Sequence, residues 1–314
     1  MTTLLIQQVL IMFLLSGVGY LCFRTGKISM EGSKTLGNIL IYLSLPCVII
    51  NSFLVERTPE KLTGLLISSA VALVTLLISI LVSRIFFSKD AILCFASTFS
   101  NPGFFGIPLI LASLADGAVF YIAAFIAFIN LGQWTYGVAL LTADHKTDKP
   151  KDTAATIKAF LKKLFTAPFM VGILVGLFFF LTGLPMPSLI GKSIEYISGL
   201  NTPIAMFTIG IYLAQTNLGE IFRTPKLYLL SLVRLILIPL VSLAVLALLP
   251  ASMSDLKMAL LIVSACPVGS NVAVYAQLHN HDYPYAVKTV VISTLLSIIT
   301  IPLIVEIAGM LHFY

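Results

Sequence analysis

Residues 95–112 read FASTFSNPGFFGIPLILA, and residues 262–277 read IVSACPVGSNVAVYAQ. Each stretch is apolar enough to lie in a bilayer, and each carries proline and glycine at its middle. Pro102 and Pro267 lack an N–H, and their rings clash with the preceding turn. Gly103 and Gly269 permit backbone angles closed to other residues. Asn101, Ser270 and Asn271 can bond the backbone groups so released, or a ligand. In hydrocarbon, unpaired backbone groups are costly, so non-helical backbone survives only inside protein or along a cavity. The two stretches therefore predict two helices that break in mid-membrane. A plain proline kink is the alternative, since Pro and Gly are frequent in membrane helices.

The rest of the chain agrees with that setting. Of 314 residues, 59% are apolar and only 10% charged, and the mean hydropathy is +1.04. A soluble domain carries roughly 25% charged residues. The net charge of +6 would suggest nucleic-acid binding in a soluble protein. Here the basic residues lie in short loops between apolar runs, and no basic stripe interleaves with aromatics. Cys22, Cys47, Cys94 and Cys266 sit in apolar runs without a C-x-x-C pair, which argues against a disulfide framework and a zinc site. The first 23 residues have neither a basic leader nor a small-residue cleavage site, and read as a retained helix.

A spanning helix needs about 20 mostly apolar residues. Ten segments are expected to span: 4–23, 36–54, 62–87, 91–114, 118–141, 166–184, 188–214, 227–249, 258–278 and 285–307. The seventh carries Lys192 and Glu195 in its first turns. One connection is long and polar, residues 142–164, and includes the amphipathic stretch TIKAFLKKLF, expected at the membrane surface. It separates a first five-span half, 1–141, from a second, 165–314. Alternating the loops places 14 of the 19 Lys and Arg on one face. Only Arg57, Lys61, Lys192 and Lys257 fall on the other, and Arg234 lies within the eighth span. The positive-inside rule puts the rich face and the central loop in the cytoplasm, with both termini outside.

Five is odd, so the second half enters the membrane from the opposite side. The expected architecture is all-α: ten spans in two inverted repeats, the plan of many secondary transporters. The broken spans are the fourth of each half. Paired interruptions at matching positions are the best sequence pointer to a midplane binding site. The second half-helices should begin near Phe104 and Val272, aiming N–H groups and positive dipole ends at the site. Asn101, Pro102, Gly103, Phe104, Pro267, Gly269, Ser270 and Asn271 are the candidate binding residues, and carboxylates suit the geometry. Pro46 and Pro203 form a weaker matched pair.

Other candidates are fewer. Arg234 is an intramembrane charge, a functional-site hypothesis by default, although it is close enough to the cytoplasmic end to snorkel. Asn130 and Gln133, with Tyr136, could bind a coupling ion or simply bond neighbouring helices. Glu195 and Glu306 are placed near interfaces. His279, His281 and Asp282 read as a solvated turn. No P-loop, H-E-x-x-H, nucleophile elbow or G-x-G-x-x-G stands in a supporting context, so no enzyme, cofactor or metal is expected.

NPGFFGIPL at Asn101–Leu109 and PVGSNVAVYAQ at Pro267–Gln277 resemble the auxin efflux carrier family, which includes bacterial malonate and malate carriers and the plant PIN-formed auxin exporters. The resemblance spans the whole chain. It implies a scaffold of spans one, two, six and seven, a mobile unit around the crossing helices, elevator-type movement and a homodimer. The chain departs from the plant pattern in its short central loop and in Asn-Pro-Gly where plant members have Asn-Pro-Asn, which points away from auxin and toward a small carboxylate. The expected function is secondary transport of small organic anions across a bacterial inner membrane, driven by protons, sodium or the substrate gradient. The rivals are a carrier of neutral or cationic metabolites on the same fold and a non-transporting membrane sensor.

Overall fold

The computed structural model describes residues 2–114, 117–142, 162, 165–311 and 313. The central linker, with its amphipathic stretch, lies almost wholly outside the described residues. Thirteen principal helices follow in order. They are α1 Thr2–Arg24, α2 Met30–Phe53, α3 Pro59–Phe87, α4 Ala91–Thr98, α5 Pro102–Ser113 and α6 Ala118–Thr142. Then come α7 Pro168–Thr182, α8 Ser188–Ser198, α9 Asn201–Gln215, α10 Pro225–Leu246, α11 Ser254–Ala265, α12 Asn271–Leu278 and α13 Tyr283–Met310. Among the described residues the one extended pairing is an antiparallel bridge, Ser100 with Val268.

Seven helices among the described residues are long and apolar enough to cross a membrane: α1, α2, α3, α6, α8 with α9, α10 and α13. Ten were expected from sequence. The other three stretches contain shorter pieces: α4 and α5 for the fourth, the 15-residue α7 for the sixth, α11 and α12 for the ninth. Helix starts are set by local chemistry. The side chains of Ser29, Thr58, Asp90 and Asp282 each accept a backbone N–H in the first turn of the helix they precede, satisfying donors that the helix cannot.

Large apolar side chains face both inward and outward. Large apolar residues such as Leu14, Leu81, Ile85 and Ile299 are exposed, as a lipid-facing surface requires. The inner face of α3 carries Ser68, Thr75, Ser79 and Ser83, all buried. Thr75 and Ser79 return their hydroxyls to carbonyls four residues back. Small residues allow close helix crossings where burial from water supplies no drive. A Cβ on Gly210 would fall 1.9 Å from the Ser16 carbonyl oxygen, and one on Gly172 would fall 2.9 Å from the Pro46 oxygen. These contacts lock α9 onto α1, and α7 onto α2.

Wide π-turns interrupt three helices, at Leu40–Ser44, Gln133–Gly137 and Val233–Leu237, and a fourth, Pro102–Gly106, opens α5. Pro46, Pro108 and Pro239 each stand two residues beyond one of them. A proline removes a helical donor and crowds the turn before it, and the wider turn absorbs both effects. Pro46 and Pro203, a matched pair on sequence offset, differ locally. Pro46 sits inside a continuous helix, whereas Pro203 lies in the first turn of α9 after the break at Gly199–Leu200.

Candidate functional site

The fourth segment leaves helical geometry after Thr98 and resumes it at Pro102. The ninth leaves after Ala265 and resumes at Asn271. These starts fall within two residues of those the sequence predicts. Both breaks share a local feature. Asn101 and Cys266 precede prolines, whose rings disfavour the α region for the preceding residue. Asn101 lies at φ −108°, ψ 67°, and Cys266 is extended.

The freed backbone is repaired across the crossing. The Asn101 amide donates to the Pro267 carbonyl at 2.9 Å, and the Gly269 amide to the Phe99 carbonyl at 2.9 Å. Ser293 of α13 accepts the Val268 amide at 3.1 Å. The approach is close enough that a Cβ on Gly269 would lie 2.9 Å from the Ser100 carbonyl oxygen. Glycine there is a steric requirement.

Around this bridge lies a small polar space of about 30 Å³, enough for a water molecule or two. Asn101, Pro102, Gly103 and Phe104 line one side, and Gly269, Ser270 and Asn271 another. Asn130 and Gln133 of α6 close it. Nine of the eleven residues singled out from sequence thus come together. Asn101 Oδ1 accepts the Phe104 amide at 3.3 Å, capping α5. Asn271 Nδ2 donates to Gln133 Oε1 at 2.9 Å, and Asn130 Nδ2 to the Ile126 carbonyl at 2.8 Å. The amides of Gly103, Ser270 and Asn271 lie at helix starts, where the helix itself offers no acceptor. No lining residue carries a formal charge.

Arg234 and Pro267 do not line the space. Arg234 is buried within the π-turn of α10. Its Nη1 donates to the Ser97 and Thr98 carbonyls at 3.3 Å, and its Nη2 to the Ser264 carbonyl. One guanidinium therefore holds the C-terminal ends of α4 and α11 together. Each such end carries a partial negative charge of about half a unit, so one cation offsets both. A snorkelling side chain would turn to solvent, and this one turns inward.

Two residues not singled out from sequence join the site. Ser100 lines the space, and its buried hydroxyl has no hydrogen-bond partner. Asn201, at the start of α9, donates through Nδ2 to the Gly103 carbonyl at 3.0 Å, while its buried Oδ1 has no partner. The same side chain borders a larger cavity of about 310 Å³, between the end of α2, the α8–α9 break and the loop before α6. Only the fold brings Asn201 to Gly103, 98 residues away in sequence. The other readings resolve as follows. His281 Nε2 lies 2.6 Å from the Leu141 carbonyl, Asp282 caps α13, and Lys192 pairs with Glu195 at an exposed surface. Among the described residues no group of His, Cys, Asp or Glu could hold a metal ion.

Comparison with known proteins gives this geometry its context. A family described as "Membrane transport protein" matches residues 4–305. A protein of Rhizobium meliloti (strain 1021) named "Putative malonate transporter" is 25% identical over 293 residues, covering 90% of this chain and 89% of that protein. The "Uncharacterized transporter MJ1031" of Methanocaldococcus jannaschii is 25% identical over 307 residues, covering 94% of this chain and 96% of that one. With nearly its whole length matched, broken helices included, this integral membrane protein belongs to the membrane transport protein family, the auxin efflux carrier family that its crossing motifs resemble.

Proposed function

We propose that the chain is a secondary active carrier of small organic anions, carboxylates above all. The observation that carries this reading is the crossing itself. Two broken helices exchange two backbone hydrogen bonds, and their second halves start beside one polar space. Helix starts present unpaired amides and partial positive charge, which favour an anion. Among the described residues the space has no acidic lining that would oppose one. The name of the Rhizobium meliloti relative, a malonate transporter, points to the same chemistry.

The rest of the reading is a mechanism for that site. The chain forms two inverted five-span repeats, residues 1–141 and 165–314, with the termini outside and the linker 142–164 in the cytoplasm of a bacterial cell. The close pairs α1 with α9 and α2 with α7 form a scaffold, through which a second copy of the chain docks. The remaining helices carry the crossing across the membrane as an elevator, coupled to protons, sodium or the substrate gradient. The 30 Å³ space is then a closed form. Cargo enters when Asn201 releases Gly103 and the space joins the 310 Å³ cavity.

Purified protein in proteoliposomes, loaded with unlabelled carboxylates, should exchange a labelled carboxylate from a panel of mono- and dicarboxylic acids. Flux or binding for amino acids or amines alone would favour the neutral or cationic reading, which the uncharged lining also permits. A chain that binds and moves none of these compounds under any imposed gradient is no such carrier.

A further inference from the structure

We propose that the seam between the α1–α9 pair and the start of α13 holds one phospholipid with a zwitterionic, amine-bearing headgroup. Its chain lies in an apolar cavity and its headgroup between Lys288 and Glu220. The site is separate from that of the cargo, since none of its residues lines the space at the crossing.

Two cavities share the walls of that seam. The first, of about 280 Å³, is bounded by Phe13 and Tyr20 of α1, Ile209 and Leu213 of α9, and Val291 and Leu295 of α13. The second, of about 220 Å³, is bounded by Gln215, Asn217, Glu220, Pro284 and Lys288. Pro284, Lys288, Val291 and Leu295 recur three or four residues apart, which puts them in one stripe along α13. On the facing side the chain runs from Leu213 in the first wall through Gln215 and Asn217 in the second to Leu218, again in the first. The charged end lies at the first two turns of α13 and just past the end of α9, where helices leave the bilayer. The apolar part runs inward from it. A slot with a charged mouth and an apolar depth matches the two parts of a phospholipid.

Burial argues for the chain and charge for the headgroup. An apolar cavity stays dry, and an empty one forfeits the contacts of its walls. In a bilayer the apolar filler at hand is an acyl chain. At the mouth, Lys288 Nζ donates to Glu220 Oε2 at 2.6 Å, and the two side chains are 22% and 58% exposed, so a headgroup can reach both. Among the described residues no other charged side chain lines either cavity, and the pair has no net charge. A phosphate accepts from Lys288 and an ammonium donates to Glu220, both as charge-assisted bonds. An anionic headgroup without an amine would set a like charge beside Glu220, and choline carries its charge without an N–H. A lipid held this way braces α13, whose Ser293 accepts the Val268 amide of the second break.

The test takes the full-length protein, freed of lipid in detergent, and measures lipid binding by native mass spectrometry. The probes are phosphatidylethanolamine, phosphatidylcholine and phosphatidylglycerol with identical chains, and glycerophosphoethanolamine, which has none. Phosphatidylethanolamine should bind at least about fivefold more tightly than the other two lipids, the worth of one charge-assisted bond, and glycerophosphoethanolamine not measurably. Glu220→Gln should bring phosphatidylethanolamine and phosphatidylcholine within about twofold of each other, and Lys288→Gln should weaken all three lipids. Gly17 lines the apolar cavity, and a Cβ there meets nothing within 4 Å. Gly17→Leu should therefore fold, fill the slot and abolish the preferred binding, while its melting temperature without lipid does not fall. Equal binding of the three lipids, or a preference for phosphatidylglycerol, overturns the proposal. So does unchanged binding in either charge variant, or undiminished binding in a folded Gly17→Leu protein, since the lipid would then lie elsewhere. The carboxylate reading stands or falls separately, by flux.

Discussion

The two broken helices look alike in sequence and are held open in different ways. The first break is short and caps itself: Asn101 turns its side chain onto the Phe104 amide, and Pro102 begins the next half-helix at once. The second runs from Cys266 to Ser270 without a side-chain cap and is tied to its neighbours. Ser293 of α13 takes the Val268 amide, and Gln133 of α6 takes Asn271. Asn101 and Asn271 are thus not equivalent. One stabilises its own helix, and the other fastens the second half of the molecule to the first. Two breaks of similar sequence can share a crossing while they divide the work.

Removing what the breaks share should do the most damage. Arg234→Met leaves three carbonyls at two helix ends without their cation. Hydrogen bonds to charged groups contribute about 1.5–3 kcal/mol each, so a loss above about 3 kcal/mol is expected. It would be read as a collapse in detergent thermal stability, with Arg234→Lys intermediate. A stable Arg234→Met protein would mean that the two C-terminal ends need no common cation.

Steric tests separate the breaks next. In Gly269→Ala the new Cβ meets backbone, 2.9 Å from the Ser100 oxygen, whereas in Gly103→Ala it meets the movable Leu45 Cδ1 at 3.1 Å. Overpacking costs about 1–3 kcal/mol. The first variant should fall in that range and the second below it, by chemical unfolding in micelles. Equal losses would erase the asymmetry.

The asparagines come third. Asn101→Ala loses a cap worth about 1 kcal/mol together with ligand affinity. Asn271→Ala loses the bond to Gln133 and affinity, with stability changed by no more than about 1 kcal/mol. Isothermal titration alongside thermal melts would separate the two effects, and unaltered affinity in both variants would move the binding site elsewhere.

The smallest effect concerns the start of α13, the helix whose Ser293 bonds the second break. Lys288 Nζ donates to Glu220 at 2.6 Å and holds that exposed carboxyl below its ordinary pKa. A lowered folded-state pKa contributes stability above the unfolded value, about 4.3, and loses it as pH falls through the folded one. Exposed pairs contribute little. Lys288→Met should therefore shift the melting temperature barely at pH 7, and not at all once the pH is below the lowered folded-state pKa of Glu220. A large shift at pH 7 would show that α13 depends on this contact.

Much of this was legible in the chain because its causes are local. A proline disfavours the α region for the residue before it, and with glycine close behind, in Asn101-Pro102-Gly103 and Cys266-Pro267-Val268-Gly269, it announces a break, whereas Leu45, Ile107 and Ile238 precede prolines and stay helical beside π-turns. Low charge and long apolar runs announce the bilayer. Two contacts were hidden because each is long-range. Asn201 reaches Gly103, and Arg234 turns inward to the ends of α4 and α11. Sequence spacing cannot report such contacts, since a side chain's partner across a bundle depends on how helices cross. The chemistry of single residues determined where the helices break. Only packing decided which groups the breaks expose to a ligand and which they hand to a buried cation, because that follows from the direction in which each free helix end points.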